Sequence, residues 1–227
     1  MKGIFYSIGL GPGDPELMTL KAVTAIGRCP VVAVPDSRGN ENVALAIAGA
    51  YLQGKTLVYC DSPMVRDTSL IERSHRSNAD QLAGYLDQGQ DIAYLTLGDP
   101  SIYSTANYIQ DHLMARGYAV EIIPGVPSFC AVAASLKQPL CEGDEALHIV
   151  PASEKTIDDA LQLPGTHVIM KAGKSIPLIK QAIVRQNRQA VAVERCTMSD
   201  ERIHRSLDTL SEQASYFSII IVKENQP

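Results

Sequence analysis

The residues best placed to do chemistry stand where short apolar runs end. Ile92 to Leu97 is cut by Gly98-Asp99-Pro100 and followed by Tyr103, Ala106, Ile109 and Leu113 near helical spacing. At such a strand–turn–helix junction Gly98 lets a ligand approach the backbone, Pro100 removes a donor, and Ser101 or Ser104 can cap the helix. Asp99 is either a ligand-binding carboxylate or a turn residue bonded to its own backbone. Ile4 to Ile8 ends similarly in Gly9-Leu10-Gly11-Pro12-Gly13-Asp14-Pro15-Glu16, and Ala119 to Ile123 in Pro124-Gly125-Val126-Pro127-Ser128-Phe129. The Gly9 loop fails the dinucleotide fingerprint at its third glycine, and Asp14 puts negative charge where a phosphate would sit. Gly173-Lys174-Ser175 is no P-loop, because the glycine required upstream is Val168.

Other machinery is sparse. Cys29, Cys60, Cys130, Cys141 and Cys196 are scattered and odd in number, and read as reduced, mostly buried thiols of a cytosolic protein. His75, His112, His148, His167 and His204 are isolated and lack metal-ligand spacing, so no metal site is expected; His112 and His167 read as ordinary, partly exposed residues. Ser128 is not in a Gly-x-Ser-x-Gly elbow. A chain with glycine-rich strand ends and little acid, base or nucleophile suits an enzyme that aligns two reactants, a contribution reaching about 7 to 11 kcal/mol. It equally suits a ligand-binding module without chemistry.

The elements that must position these loops follow from periodicity. Strands are expected at Ile4 to Ile8, Val31 to Val34, Thr56 to Tyr59, Ile92 to Leu97 and Ala119 to Ile123, separated by helices, one carrying Leu17, Leu20, Val23 and Ile26 on a face. The other helices of this half are Glu41 to Leu52, with Val43, Ile47 and Ala50 inward, one carrying Leu82 and Leu86 and ending near Gly89, and Ile102 to Arg116. This alternation argues a parallel sheet layered with helices. Asp61 to Asp80 is polar, and its first part reads as an exposed loop whose Pro63-Met64 could act as a lid.

After a small-residue helix from Cys130 to Leu136 the pattern restarts. Strands are expected at Ala146 to Val150, Thr166 to Lys171, Ala190 to Glu194, Arg202 to Arg205 and Tyr216 to Val222, and a short helix at Lys155 to Leu161. The last strands leave little room for crossover helices, so the second sheet should be mixed. The expected class is therefore α/β with two domains, 1–124 and 125–227. At 45% hydrophobic residues the chain can bury both cores. A net charge of −5 with no basic excess in either half weighs against a nucleic-acid partner. No apolar run approaches the roughly 18 residues of a membrane span, and Met1-Lys2 leads directly into a strand, so a soluble, unprocessed cytoplasmic protein is expected.

Taken together, the Gly9 to Leu17, Thr96 to Thr105 and Pro124 to Phe129 segments resemble the tetrapyrrole methylase family, S-adenosylmethionine-dependent enzymes of cobalamin and siroheme synthesis. Within it, Pro63-Met64, Leu-Gly-Asp-Pro-x-Ile-Tyr-Ser-Thr, Met170-Lys171 and Tyr216-Phe217-Ser218 look most like the branch that methylates C20 of precorrin-2 or cobalt-factor II. The resemblance implies a two-domain fold with the active site in the interdomain cleft, a homodimer, and S-adenosylmethionine as cofactor. Leu97, Gly98, Asp99, Ile102, Ser104, Thr105, Pro127, Ser128, Met170 and Cys196 would border the cofactor. Pro12, Met64, Tyr103, Phe129 and Lys171 would border the tetrapyrrole, with Arg66, Lys137, Lys171 and Lys174 as candidate partners of its carboxylates. No residue is assigned as chemical catalyst. Relatives often carry glycine where Cys196 stands, which puts a close backbone contact there in doubt. Another ring position, a diphthamide-pathway or ribosomal-RNA methyltransferase, and a non-catalytic nucleotide-binding module are the alternatives.

Overall fold

The computed structural model describes the whole chain except residues 37–41, 64, 66, 153–156 and 225–227 and the side chain of Lys174. By contact density the chain forms two compact units, Met1–Pro127 and Ser128–Pro227.

The first unit holds β1 (Ile4–Gly9), β2 (Val31–Pro35), β3 (Thr56–Cys60), β4 (Ile92–Thr96) and β5 (Ala119–Ile123), all parallel, in the order β3-β2-β4-β1-β5. Helices α1 (Leu20–Arg28) and α2 (Val43–Ala48) cover one face, over Ile8, Val32, Val34 and Leu95. Helices α3 (Thr68–Asp87) and α4 (Ala106–Ala115) cover the other, over Phe5, Val31, Ala33 and Tyr94. A sheet buried on both faces requires apolar runs rather than alternation, which is how Val31 to Val34 reads. Because the strands are parallel, their carboxyl ends share one edge, with Gly9 opposite Thr96 and Ile8 opposite Ile123.

Several boundaries differ from the sequence expectation. The polar stretch 61–80 is mostly helix: Asp67 caps α3 by accepting from the Ser69 and Leu70 amides, leaving only 61–67 outside it. Its polar residues turn inward because they finish β3. The Asn78 side chain donates to the Asp61 carbonyl and accepts from the Asp61 amide, and the Ser74 hydroxyl donates to the same carbonyl. Met64 of the expected Pro63-Met64 lid, and Arg66, a candidate carboxylate partner, lie outside the described residues. Helix α4 begins at Ala106 rather than Ile102, because Tyr103 sits at φ 50° and ends any helical run before it. A 3₁₀ turn, Pro15–Leu17, precedes α1, and Leu20 is 87% exposed; Ala22, Ala25 and Ile26 face inward instead. In α2 the inward residues are Ala44, Ile47 and Ala48, and Ala50 lies in a following 3₁₀ turn and is exposed; Glu41 lies outside the described residues.

The second unit begins with α5 (Ser128–Leu136) and contains β6 (Leu147–Pro151), α6 (Ile157–Leu161), β7 (Thr166–Met170), α7 (Ile176–Arg185), β8 (Gln189–Glu194), β9 (Arg202–His204) and β10 (Ser218–Lys223). The start of the helix expected from Lys155 lies outside the described residues. The sheet order is β6-β7-β10-β8-β9, with β6 and β7 parallel and every other neighbour antiparallel. The mixed sheet is thus as expected. Strand β10 starts at Ser218 rather than Tyr216, because the Ser215 hydroxyl accepts from the Phe217 amide and Ser218 bonds back to the Ser215 carbonyl, making a turn there. Ile157, Leu161, Ile169, Ile176, Ile179, Ala192 and Ile220 form its core. The carboxyl ends of β6, β7 and β8 and the amino end of β10 share one edge, with Pro151 opposite Met170 and Ser218 opposite Glu194. His167 is fully buried rather than partly exposed, stacked on His148 at 4.6 Å across the parallel register. Among the described residues no helix is long and apolar enough to cross a membrane.

Candidate functional site

In the first unit, pairing continues past the end of β1. The Leu10 amide donates to the Thr96 carbonyl at 2.9 Å, and Gly11 and Gly98 exchange backbone bonds of 3.2 and 2.8 Å. Gly11 and Gly98 sit at φ 80° and 68°, where glycine is at ease and other residues are strained. The third loop packs directly on this pair: a Cβ on Gly125 would lie 2.2 Å from the Gly98 oxygen, and one on Gly9 would lie 2.5 Å from the Gly125 nitrogen. Gly9 and Gly125 are therefore needed for close approach of backbones.

Asp99 fastens the arrangement. Its Oδ2 accepts from the Gly125 amide at 2.9 Å, and its Oδ1 accepts from the Ser101 amide at 2.8 Å and from the Ser101 hydroxyl. Of the two roles open from sequence, the structure shows the turn residue, and adds a clasp between the Gly98 and Gly125 loops. Charge-assisted bonds of this kind are roughly twice as strong as neutral ones. Ser104, buried, accepts from the Ala106 amide at 3.1 Å and lies 3.3 Å from the Thr96 hydroxyl, so it fixes the start of α4 from the position just before the cap residue Thr105. Thr105 hydrogen-bonds the phenol of Tyr94, which burial above all pushes well up, keeping it neutral. Leu97 and Ile102 are half-buried, Pro12 is buried, and Tyr103 is exposed.

In the second unit Met170 ends β7, half-buried, its carbonyl accepting from the Ala152 amide at 2.8 Å. Lys171 follows at φ 57°, its amine pushed down by partial burial. Cys196 follows β8 at the same edge, so the fold brings Met170 and Cys196 to one side of this sheet. Burial, then the Glu201 carboxylate beside it, push the Cys196 thiol up to about 12. It is a neutral thiol at physiological pH, without the thiolate that nucleophilic chemistry requires. Pro127 closes the first unit, Ser128 opens α5, Phe129 is buried, and Lys137 ends α5 at φ 56° on the surface. Met64, Arg66 and the Lys174 side chain lie outside the described residues.

Sequence reasoning missed the carboxylates that brace this edge. Glu201 accepts from the Ser135 hydroxyl and the Thr197 amide, each at 2.6 Å. Glu194, buried, accepts from the Ser215 amide at 2.8 Å and meets His204 at 2.8 Å. No local motif announces either, since Glu201 also reaches Ser135, 66 residues away, and Glu194 reaches Ser215, 21 residues away. Among the described residues no three His, Cys, Asp or Glu side chains could hold a metal ion together. Among the described residues each edge thus offers hydrogen-bonded backbone and carboxylates already committed to donors, which can orient a ligand.

Comparison with known proteins fits this geometry. Residues 5–211 match the model of the Tetrapyrrole (Corrin/Porphyrin) Methylases. A probable cobalt-precorrin-2 C(20)-methyltransferase of Methanocaldococcus jannaschii is 35% identical over 96% of this chain and 95% of its own length. A precorrin-2 C(20)-methyltransferase of Sinorhizobium sp is 31% identical over 97% of this chain and 95% of its own. The crystal structure of a uroporphyrin-III C-methyl transferase from Thermus thermophilus, complexed with S-adenyl homocysteine, superposes with a TM-score of 0.73 over 98% of both chains, at 24% identity. With a family match over most of its length and near-complete coverage of relatives above 30% identity, the chain belongs to the tetrapyrrole (corrin/porphyrin) methylase family.

Proposed function

We propose that this protein transfers the methyl group of S-adenosylmethionine to C20 of precorrin-2 or of its cobalt complex. The observation that carries the reading is likeness over nearly the whole chain to two enzymes named for C20 methylation of that macrocycle. S-adenosylmethionine supplies an electrophilic methyl on a positive sulfonium, so the protein's task is alignment and exclusion of water. The residues present suit such a donor: Cys196, proposed to border it, is buried and held neutral, so it does not compete as an anionic nucleophile for the methyl group.

The electron-rich C20 attacks in line. A carbon–carbon bond forms, the carbon–sulfur bond breaks with its electrons going to sulfur, and the C20 proton is lost from the macrocycle. Leu97, Gly98, Ile102, Ser104, Thr105, Pro127, Ser128, Met170 and Cys196 are proposed to border the donor, and Asp99 to hold the loop that does so. Pro12, Tyr103, Phe129 and Lys171 are proposed to border the acidic macrocycle, with Met64 of the same substrate set lying in the undescribed part. The resemblance also supports a homodimer working in the cytoplasm, which sedimentation and fractionation would check.

The test is incubation with methyl-labelled S-adenosylmethionine and, in parallel, precorrin-2 and its cobalt form. Label in the pigment at C20 is expected from one of the two. Cofactor uptake without labelled pigment would replace the reading by a binding module, and label at another ring carbon would reassign the position.

A further inference from the structure

Among the described residues six non-glycine positions have positive φ, and two of them, Arg195 at 50° and Thr197 at 66°, flank Cys196. A β-branched residue in the left-handed region is a genuine outlier, and such strain persists only where surrounding structure over-determines it. Here the over-determination is visible. The Arg195 amide donates to the Phe217 carbonyl at 3.0 Å, and the Arg195 guanidinium pairs with Asp200. The Met198 amide donates to the Arg195 carbonyl at 3.0 Å and the Glu201 amide to the Met198 carbonyl at 3.1 Å, closing the turn.

One carboxylate holds the centre. Glu201 Oε2 accepts from the Thr197 amide and Oε1 from the Ser135 hydroxyl of α5, each at 2.6 Å, and the Cys196 thiol bonds to the same group. Burial pushes the Glu201 carboxyl up, but these three donors outweigh it and leave the group below the ordinary glutamate range. Strand β8 and helix α5 are therefore joined through a strained turn whose conformation neither element imposes alone.

We infer that Glu201 is a positioning residue for the cofactor: without touching it, Glu201 fixes the strained Arg195–Thr197 turn so that the Cys196 peptide is held where S-adenosylmethionine binds. This rests on the methyltransferase reading, which places Cys196 beside the donor. The role is geometric, because all three donors converge on the carboxylate oxygens. It follows that Glu201→Gln, which keeps one oxygen for the Thr197 amide and can donate to the Ser135 hydroxyl, should preserve it, whereas Glu201→Ala should not.

The experiment titrates the full chain with S-adenosylhomocysteine by calorimetry, alongside the KM for the tetrapyrrole and a thermal melt. Glu201→Ala is expected to weaken S-adenosylhomocysteine at least about 10-fold while the tetrapyrrole KM stays within about twofold; Glu201→Gln is expected within about threefold of wild type. If Glu201→Ala does not fold, Ser135→Ala, which removes a single donor, should weaken the ligand by about twofold to fivefold in folded protein. Folded Glu201→Ala, or in its place folded Ser135→Ala, binding like wild type overturns the role of Glu201, as does a Glu201→Gln variant as impaired as Glu201→Ala, which would make charge the cause. Wild-type protein that binds no S-adenosylhomocysteine overturns the methyltransferase reading and this inference with it.

Discussion

Gly125→Ala tests the site's architecture most directly. The added Cβ would lie 2.2 Å from the Gly98 oxygen and 2.8 Å from the Gly9 Cα and carbonyl carbon, whereas ordinary contact begins at 3.4 Å, so the loops must separate by roughly 1.2 Å. All three neighbours are backbone, and none can retreat alone. Moving the third loop breaks the Gly125–Asp99 bond, and moving Gly98 breaks its exchange with Gly11. Overpacking costs about 1 to 3 kcal/mol, and a lost bond to a charged group about 1.5 to 3, so the total is about 2.5 to 6 kcal/mol. At about 2 to 4 °C per kcal/mol, melting should fall by roughly 5 to 24 °C, with S-adenosylhomocysteine binding lost in whatever remains folded. Gly27→Ala is the control. Gly27 lies in α1 with nothing near its would-be Cβ, so alanine should stabilise by about 0.5 to 1 kcal/mol. Differential scanning calorimetry and titration of both variants decide the matter. A Gly125→Ala protein that melts with wild type and binds equally well would refute the close-approach reasoning.

Asp99→Asn should fold but align its loops poorly, because a carboxamide cannot accept at both Ser101 and Gly125; turnover should fall about 10- to 100-fold and melting by about 3 to 12 °C, read by labelled-methyl transfer and calorimetry. Leu20→Lys should change stability by less than about 0.5 kcal/mol, since the side chain is 87% exposed, whereas Ile26→Ala on the inward face should cost about 2 to 5, both measured by urea denaturation. Burial, then the Arg188 charge, push the His167 imidazole down, so it stays neutral in the fold while the unfolded chain takes up a proton below about pH 6.5. Its contribution is therefore complete above that pH and lost as pH falls below it. His75 shifts in the same direction in the first unit, so the readout is hydrogen exchange of β6 and β7 amides, whose acid lability His167→Phe should flatten.

Much of this molecule could be read along the chain. The five strands of the first unit and the mixed sheet of the second follow from apolar runs, their length and the space left for crossovers, all local properties. The three loops at the site were legible because Gly98, Gly9 and Gly125 interrupt those runs, and a glycine at a strand end is a local signal. Helix α3 was misjudged because Ser74 and Asn78 are polar for a tertiary reason, satisfying the end of β3. His167 was misplaced because no pattern distinguishes a buried imidazole that stacks on its register partner from one on a surface.

Periodicity and chain-breaking residues thus set which segments become strands and where ligand-competent loops begin, since they act within a few residues. Which loops meet was decided by the strand order β4-β1-β5, which sets Gly98, Gly9 and Gly125 side by side. The partners of Asp99 and Glu201 were decided the same way. Asp99 reaches an amide 26 residues away and Glu201 a hydroxyl 66 residues away, and such pairings exist only once the intervening chain has packed.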